Sequence, residues 1–269
     1  MTRILAVTNQ KGGVGKTTSV INIAACWARK IGPDRVLVVD IDPQASATSI
    51  FLGIAHAVGP RRPGVASIKE VLEQRVTAAA AIQVSTLAES SPYPASTVHV
   101  LPAHPELGLA ETTLNQYADG LFRLVEAIDS LNGRYDVIII DCPPSLGTFT
   151  TTALFACQEV IIPVIPGKFE MVGLALLQQT IQRVQKPRLN PALHIGGILP
   201  TKTTHTRISR DTIAELTTRF GDLVLPSVPE RVAIHEAHAA NADIFTYSPD
   251  NDGATAYATV VEALIARRS

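Results

Sequence analysis

Eight residues near the start, Lys11-Gly12-Gly13-Val14-Gly15-Lys16-Thr17-Thr18, restrict this chain more than any other stretch. The glycines let consecutive backbone N–H groups converge on one point, because no Cβ blocks a close approach. A short apolar run at 4–7 precedes them, and Val20, Ile21, Ile23, Ala24 and Trp27 follow at helical spacing until Gly32-Pro33. A strand that feeds through such a loop into a helix aims free amides and the helix's positive end at one place, a site for phosphate. Lys16 adds a full charge for the β and γ phosphates of a triphosphate, and Thr17 a hydroxyl for Mg²⁺. Average residue usage produces such a string by chance in fewer than about one chain in ten thousand of this length. A dinucleotide fingerprint fails, because Thr18 stands where its third glycine belongs. The general phosphate-loop pattern would place its first glycine at residue 10, which is Gln10, and Lys11 is an additional cation.

The rest of the chain alternates strands and helices. Apolar runs at 36–40, 98–101, 135–141, 160–164, 193–199 and 223–225 predict strands. Helical spacing appears over 67–74, 105–116, 120–131, 170–185, 208–220 and 254–267. This order predicts an α/β fold of the doubly wound kind, a mostly parallel sheet with helices on both faces, as one domain spanning 1–269. Hydrophobic residues make up 46% and aromatics 5%, and the abundant Ala, Val, Ile and Leu suit strands buried on both sides. The stretch 53–97 holds Gly59-Pro60-Arg61-Arg62-Pro63-Gly64 and Ser90-Ser91-Pro92-Tyr93-Pro94, and reads as a peripheral excursion.

Acids sit where strands end. Asp141 closes the Val-Ile-Ile-Ile run, the place for a carboxylate that holds a magnesium shell through water. Asp40-Ile41-Asp42-Pro43-Gln44 closes the strand at 36–40, and acids spaced i, i+2 on extended chain share a side. One supports the metal's waters while the other orients an attacking water.

The 23 basic and 24 acidic residues leave a net charge of −1, so the whole molecule exerts no general pull on nucleic acid. Binding to DNA then requires a local patch. Lys202, Arg207, Arg210, Arg219 and Arg231 gather near the helix expected after 207, and Arg207 and Arg210 share a face at i, i+3. Such cations serve phosphates, and no base-reading motif accompanies them. Cys26, Cys142 and Cys157 lack metal or disulfide spacing, and a reducing, cytoplasmic setting is expected. No stretch approaches the ~20 apolar residues of a membrane span, and the small apolar residues of the last helix suit docking on the sheet, not on lipid.

The lysine-rich loop, Asp40-Ile41-Asp42-Pro43-Gln44 and Asp141-Cys142-Pro143-Pro144-Ser145 together resemble the ParA/MinD family of deviant Walker ATPases, above all its ParA (Soj) branch. The resemblance implies ATP and Mg²⁺ as cofactors, with Lys11 to Thr18 cradling the nucleotide, and Pro229 and Arg231 in the loop against adenine. It implies Thr17, Asp40 and Asp141 around the metal, Asp42 beside the water, and Lys16 on the phosphates of its own subunit. Lys11 would reach the phosphates of a second copy in an ATP-bound homodimer. Such dimers bind DNA without sequence preference, and a ParB-type centromere-binding adaptor stimulates hydrolysis, so the protein is expected on the nucleoid and not on membrane. Departures are Ala45-Ser46 in place of Gly-Asn, Gly167 in place of a glutamate that touches the partner's ribose, Lys202-Thr203-Thr204-His205 in place of Met-Tyr-Asp, and Glu236-Ala237-His238-Ala239-Ala240-Asn241 in place of Glu-Ala-Pro-Ser-Phe-Gly. The loop begins at residue 11, so no preceding DNA-reading domain is expected. A ParA-like ATPase that positions a protein cargo, and a MinD-like one on membrane, share the same motifs.

Overall fold

The computed structural model describes residues 2–59, 64–86, 98–167 and 170–267; the Pro-Arg-Arg-Pro stretch at 60–63 and the proline-rich tract at 90–94 lie outside the described residues. In chain order the elements are β1 (Arg3–Val7), α1 (Lys16–Ile31), β2 (Val36–Asp40), α2 (Ser46–Leu52), α3 (Ile54–Val58), α4 (Ile68–Leu72), α5 (Ala78–Ala81), β3 (Gln83–Val84) and β4 (Val98–Leu101). They continue with α6 (Leu107–Gln116), α7 (Arg123–Asp129), β5 (Val137–Asp141), α8 (Thr148–Ala156), β6 (Glu159–Val164), α9 (Glu170–Val184) and β7 (His194–Pro200). Last come α10 (Arg207–Phe220), α11 (Val232–Ala239), α12 (Ile244–Tyr247) and α13 (Asp252–Ala266).

Among the described residues the strands form one seven-stranded sheet in the order β3-β4-β2-β5-β1-β6-β7, parallel except for the short edge pair β3–β4. Alternate strand residues go to opposite faces. Ile4, Ala6, Leu37, Val39, Ile138 and Ile140 pack under α4 and α6 to α9. Leu5, Val7, Val36, Val38, Val137 and Ile139 pack under α1, α2 and α11 to α13. Strands covered on both faces explain why their runs are continuously apolar.

Two expectations are corrected. The strand expected at 223–225 does not form: 221–223 makes a tight turn, and Val224 keeps a single bridge to Ile198. Pro226 follows at once and supplies no amide to extend the ladder. The excursion at 53–97 is less peripheral than expected, because Ile68 and Leu72 of α4 are wholly buried in the core, as are most of Ala78 and Ala81. At the other end α13 lays Tyr257, Val260, Val261 and Leu264 into the core against α1. Among the described residues no helix is long and apolar enough to cross a membrane.

Candidate nucleotide-binding site

The parallel strands all finish on one edge of the sheet, so the loops after β1, β2, β5, β6 and β7 converge there. Strand pairing sets Asp40 beside Asp141 and Val7 beside Asp141. The glycine loop therefore rises next to both acidic strand ends. Gly13 (φ 73°) and Gly15 (φ 85°) occupy the left-handed region, which side-chain-bearing residues avoid. Gly15 caps α1 with no side-chain hydrogen bond, and the first turn holds no acid, so the amides there stay available to an anion.

Two distant residues hold this loop. The buried Asn9 donates from Nδ2 to the Pro163 carbonyl (2.7 Å) and accepts the Lys11 N–H at Oδ1 (3.1 Å). Thr201 Oγ1 donates to the Val14 carbonyl at 2.8 Å, with the Val164 carbonyl at 3.2 Å. Both ends of the cradle are thus bolted to the tip of β6.

Lys16 is 7% exposed, and its ammonium donates to the Lys11 carbonyl at 3.1 Å. Burial lowers its pKa, and Asp141 and Asp42 pull it back up. Thr17 Oγ1 donates to Asp141 Oδ2 at 2.7 Å, which leaves the hydroxyl's lone pairs open to a cation. Asp141 is fully buried, and its Oδ1 has no hydrogen-bond partner among the described residues. Burial, with Asp40 alongside, raises its pKa well above the carboxylate range. A buried, unpartnered carboxylate oxygen is costly unless something donates to it. A metal held at Thr17 would bring waters that donate to this oxygen, so these residues fit a hydrated magnesium ion.

Asp40 is equally buried but better served. Its Oδ1 accepts the Asp42 N–H (3.1 Å), and its Oδ2 accepts both the N–H and the hydroxyl of Thr48 (2.8 Å each). Its pKa is pushed up to about 6, by burial first, while the donors from Thr48 and Asp42 resist. Asp42 lies beyond the strand, accepts the Gln44 N–H at 2.9 Å and has its pKa raised by burial, against the pull of that N–H and of Lys16. The turn closes through Ala45, wholly buried in a left-handed conformation (φ 51°). The four titratable groups Lys16, Asp40, Asp42 and Asp141 form one electrostatic cluster beside the cradle.

On the other side of the glycine loop an open cleft is lined by Gly15, Thr18, Thr201 and Lys202, then by 228–231 and His235. The segment 228–231 is held there by pairing with the chain just past β7: the Thr203 N–H donates to the Val228 carbonyl and the Glu230 N–H to the Thr203 carbonyl, both at 3.1 Å. Arg231 reaches Asp252 at the start of α13, with Nε 2.7 Å from Oδ1. The expected base-binding loop, Pro229 and Arg231 included, thus forms a wall of a cleft that opens onto the phosphate cradle.

The expected basic cluster divides. Arg207, Arg210 and Arg219 are exposed on α10, where Arg207 pairs with Asp211 at 3.4 Å. Lys202 and Arg231 belong to the cleft wall instead. Sequence reading missed Asn9, Thr48 and Thr201, since polar residues near strand ends carry no spacing signal. The three cysteines are free and buried, with the Cys26 thiol pushed up to about 11 and those of Cys142 and Cys157 raised, all by burial first.

A family model described as an AAA domain matches residues 2–195. The sporulation initiation inhibitor protein Soj of Bacillus subtilis is 38% identical over 268 residues, 99% of each chain. The chromosome-partitioning ATPase Soj of Treponema pallidum is 36% identical over 271 residues, covering 99% of this chain and 98% of the relative. This chain belongs to the Soj/ParA family. A solved structure from Mycobacterium smegmatis, named cobyrinic acid a,c-diamide synthase with bound ADP and magnesium, superposes with a TM-score of 0.81 at 34% identity, over 100% of this chain and 96% of that one. The Soj/ParA relatives span the same length as this chain, so the match takes in the glycine loop, the acidic strand ends and the cleft wall alike.

Proposed function

We propose that the chain works as a single-domain, Mg²⁺-dependent ATPase that partitions plasmid or chromosomal DNA as a nucleotide-switched homodimer. The observation that carries this reading is the meeting of the glycine cradle, Lys16 and Thr17 with the orphaned oxygen of Asp141 at one edge of the sheet. Bound ATP and Mg²⁺ supply a phosphoanhydride activated for attack by water. Lys16 neutralises charge on the outer phosphates, and its lowered pKa follows from burial that the phosphates would offset. Thr17 offers its oxygen to the metal, Asp141 and Asp40 orient the metal's waters, and Asp42 accepts a hydrogen bond from the attacking water. Gly15 and Thr18 hold the phosphates, and Pro229 and Arg231 hold the base.

Lys11 is exposed beside the cradle, and its amide is fixed by Asn9. In this reading its ammonium docks on the phosphates of a second copy, so ATP favours the dimer by its differential affinity for that state. The dimer doubles the α10 patch of Arg207, Arg210 and Arg219 and binds DNA without sequence preference. A ParB-type adaptor stimulates hydrolysis and resets the cycle. The protein then works in the cytoplasm on the nucleoid. The name of the Treponema pallidum relative, chromosome-partitioning ATPase Soj, supports partition over other uses of the same motifs.

DNA retention with ATP, ADP and no nucleotide, at two salt concentrations, tests the proposal. Retention that requires ATP and falls steeply with salt is expected. Equal retention in all three nucleotide states would overturn the switch.

A further inference from the structure

Lys202 sits in a backbone conformation that lysine avoids, φ 48°. Both neighbours impose it. The Thr201 N–H donates to the Val164 carbonyl at 2.8 Å while its hydroxyl holds the glycine loop, and Thr203 is paired with Val228 and Glu230. Residue 202 is the kink between these two anchors, and the kink places it on the wall of the nucleotide cleft. Strained positions over-determined by their surroundings concentrate at ligand sites.

Its charge lacks a counterpart there. Lys202 is half-buried and makes no hydrogen bond or ion pair with the described residues. Arg231, on the same wall, is neutralised by Asp252. Glu230 lies on the wall too, yet the two form no ion pair among the described residues. Thr201 touches the loop at Gly15, with 3.8 Å between the Thr201 side chain and the point where a Gly15 Cβ would stand. Lys202 therefore flanks the end of the cradle near Gly15 and Thr18, whereas Lys16 faces Asp141 and Asp42 at the other end.

Resting on the nucleotide reading above, we infer that Lys202 is a nucleotide ligand, not a DNA contact: its ammonium binds the α-phosphate. Two lysines then divide the polyphosphate, Lys16 at the outer phosphates and Lys202 at the inner one. Because the α-phosphate is common to substrate and product, Lys202 strengthens binding of ATP and ADP alike and sets nucleotide retention without favouring the dimer.

The test uses the full chain and three variants. Lys202→Met removes the charge and keeps the stem, Lys202→Gly removes the charge and relaxes the left-handed backbone, and Lys202→Arg keeps the charge. Titration calorimetry with ADP, and AMP in competition, should show about tenfold weaker binding in the Met and Gly variants, the scale of one charge-assisted hydrogen bond, and near-normal binding in the Arg variant. The Gly variant guards against misfolding, since glycine favours the conformation already present. DNA retention at saturating ATP should keep the wild-type salt slope. Unchanged ADP affinity overturns the inference, and a salt slope reduced by about one would return Lys202 to the nucleic-acid surface. Loss for ADP without loss for AMP also overturns it. Wild-type protein that binds no ADP would instead sink the nucleotide reading itself.

Discussion

Replacing Thr48 with valine tests whether the Asp40–Thr48 link holds the β2 loop in place. Thr48 and Asp40 are both fully buried. The Thr48 hydroxyl donates to Asp40 Oδ2 and accepts the Ala103 N–H, each at 2.8 Å. Valine matches threonine in size, so packing is conserved and only the two hydrogen bonds are lost. Losing a donor to a buried charged group costs about 1.5–3 kcal/mol, and orphaning the buried Ala103 N–H costs about 1–3 kcal/mol, so Thr48→Val should lose roughly 2.5–6 kcal/mol. That is a large part of the ~5–15 kcal/mol by which domains are usually stable. Thr48→Ser keeps the hydroxyl and gives up one methyl, at about 1 kcal/mol. The sole tryptophan, Trp27, is 2% exposed and reports unfolding in urea through its fluorescence. The expected order of midpoints is wild type, then serine, well above valine, with unchanged slopes. A valine variant as stable as the serine one would show that these two hydrogen bonds do not hold the loop.

Four further outcomes follow from the same geometry. Lys11→Ala should yield monomers that bind ATP without hydrolysing it, and size-exclusion chromatography with a non-hydrolysable analogue checks this; normal dimers would dismiss the cross-subunit role. Asp42→Ala should trap the ATP-bound dimer on DNA, and rapid phosphate release by that variant would remove Asp42 from the reaction. Arg207→Glu combined with Arg210→Glu should weaken DNA retention by at least tenfold at moderate salt while sparing dimerisation. His238, whose Nε2 is buried without a partner among the described residues, has its pKa pushed down to about 4 from 6.5, by burial first and then by His235. The unfolded chain takes up a proton below pH 6.5 that the folded chain refuses until about pH 4, so stability falls across that window as pH drops, by up to ~3 kcal/mol. His238→Gln should flatten this part of the urea midpoint profile, and an unaltered profile would refute the assignment.

The glycine loop and the acids at strand ends were legible because each depends on local order: a strand, a turn free of Cβ atoms, a helix, and a carboxylate where a strand stops. β2 and β4 also coincide with their apolar runs, 36–40 and 98–101. Less legible were α8 and α11, for different physical reasons. The first, Thr-Phe-Thr-Thr-Thr-Ala-Leu-Phe-Ala, is crowded with β-branched threonine and is apolar almost all round, so it shows no helical stripe. The second is short and begins directly after the cleft-wall segment at Arg231.

From its order of residues alone, the chain determined that it would cradle phosphate on a parallel sheet, since backbone torsions and strand periodicity act over a few residues at a time. Folding decided what holds that cradle and what surrounds it. Asn9 meets Pro163 across 154 positions and Thr201 meets Val14 across 187, contacts that carry no local pattern. The same closure took Lys202 away from the basic patch expected on α10 and set it on the wall of the cleft beside Gly15 and Thr18. Side chains close in sequence can serve separate surfaces when the backbone between them is pinned at both ends, and only the packed sheet supplies those pins.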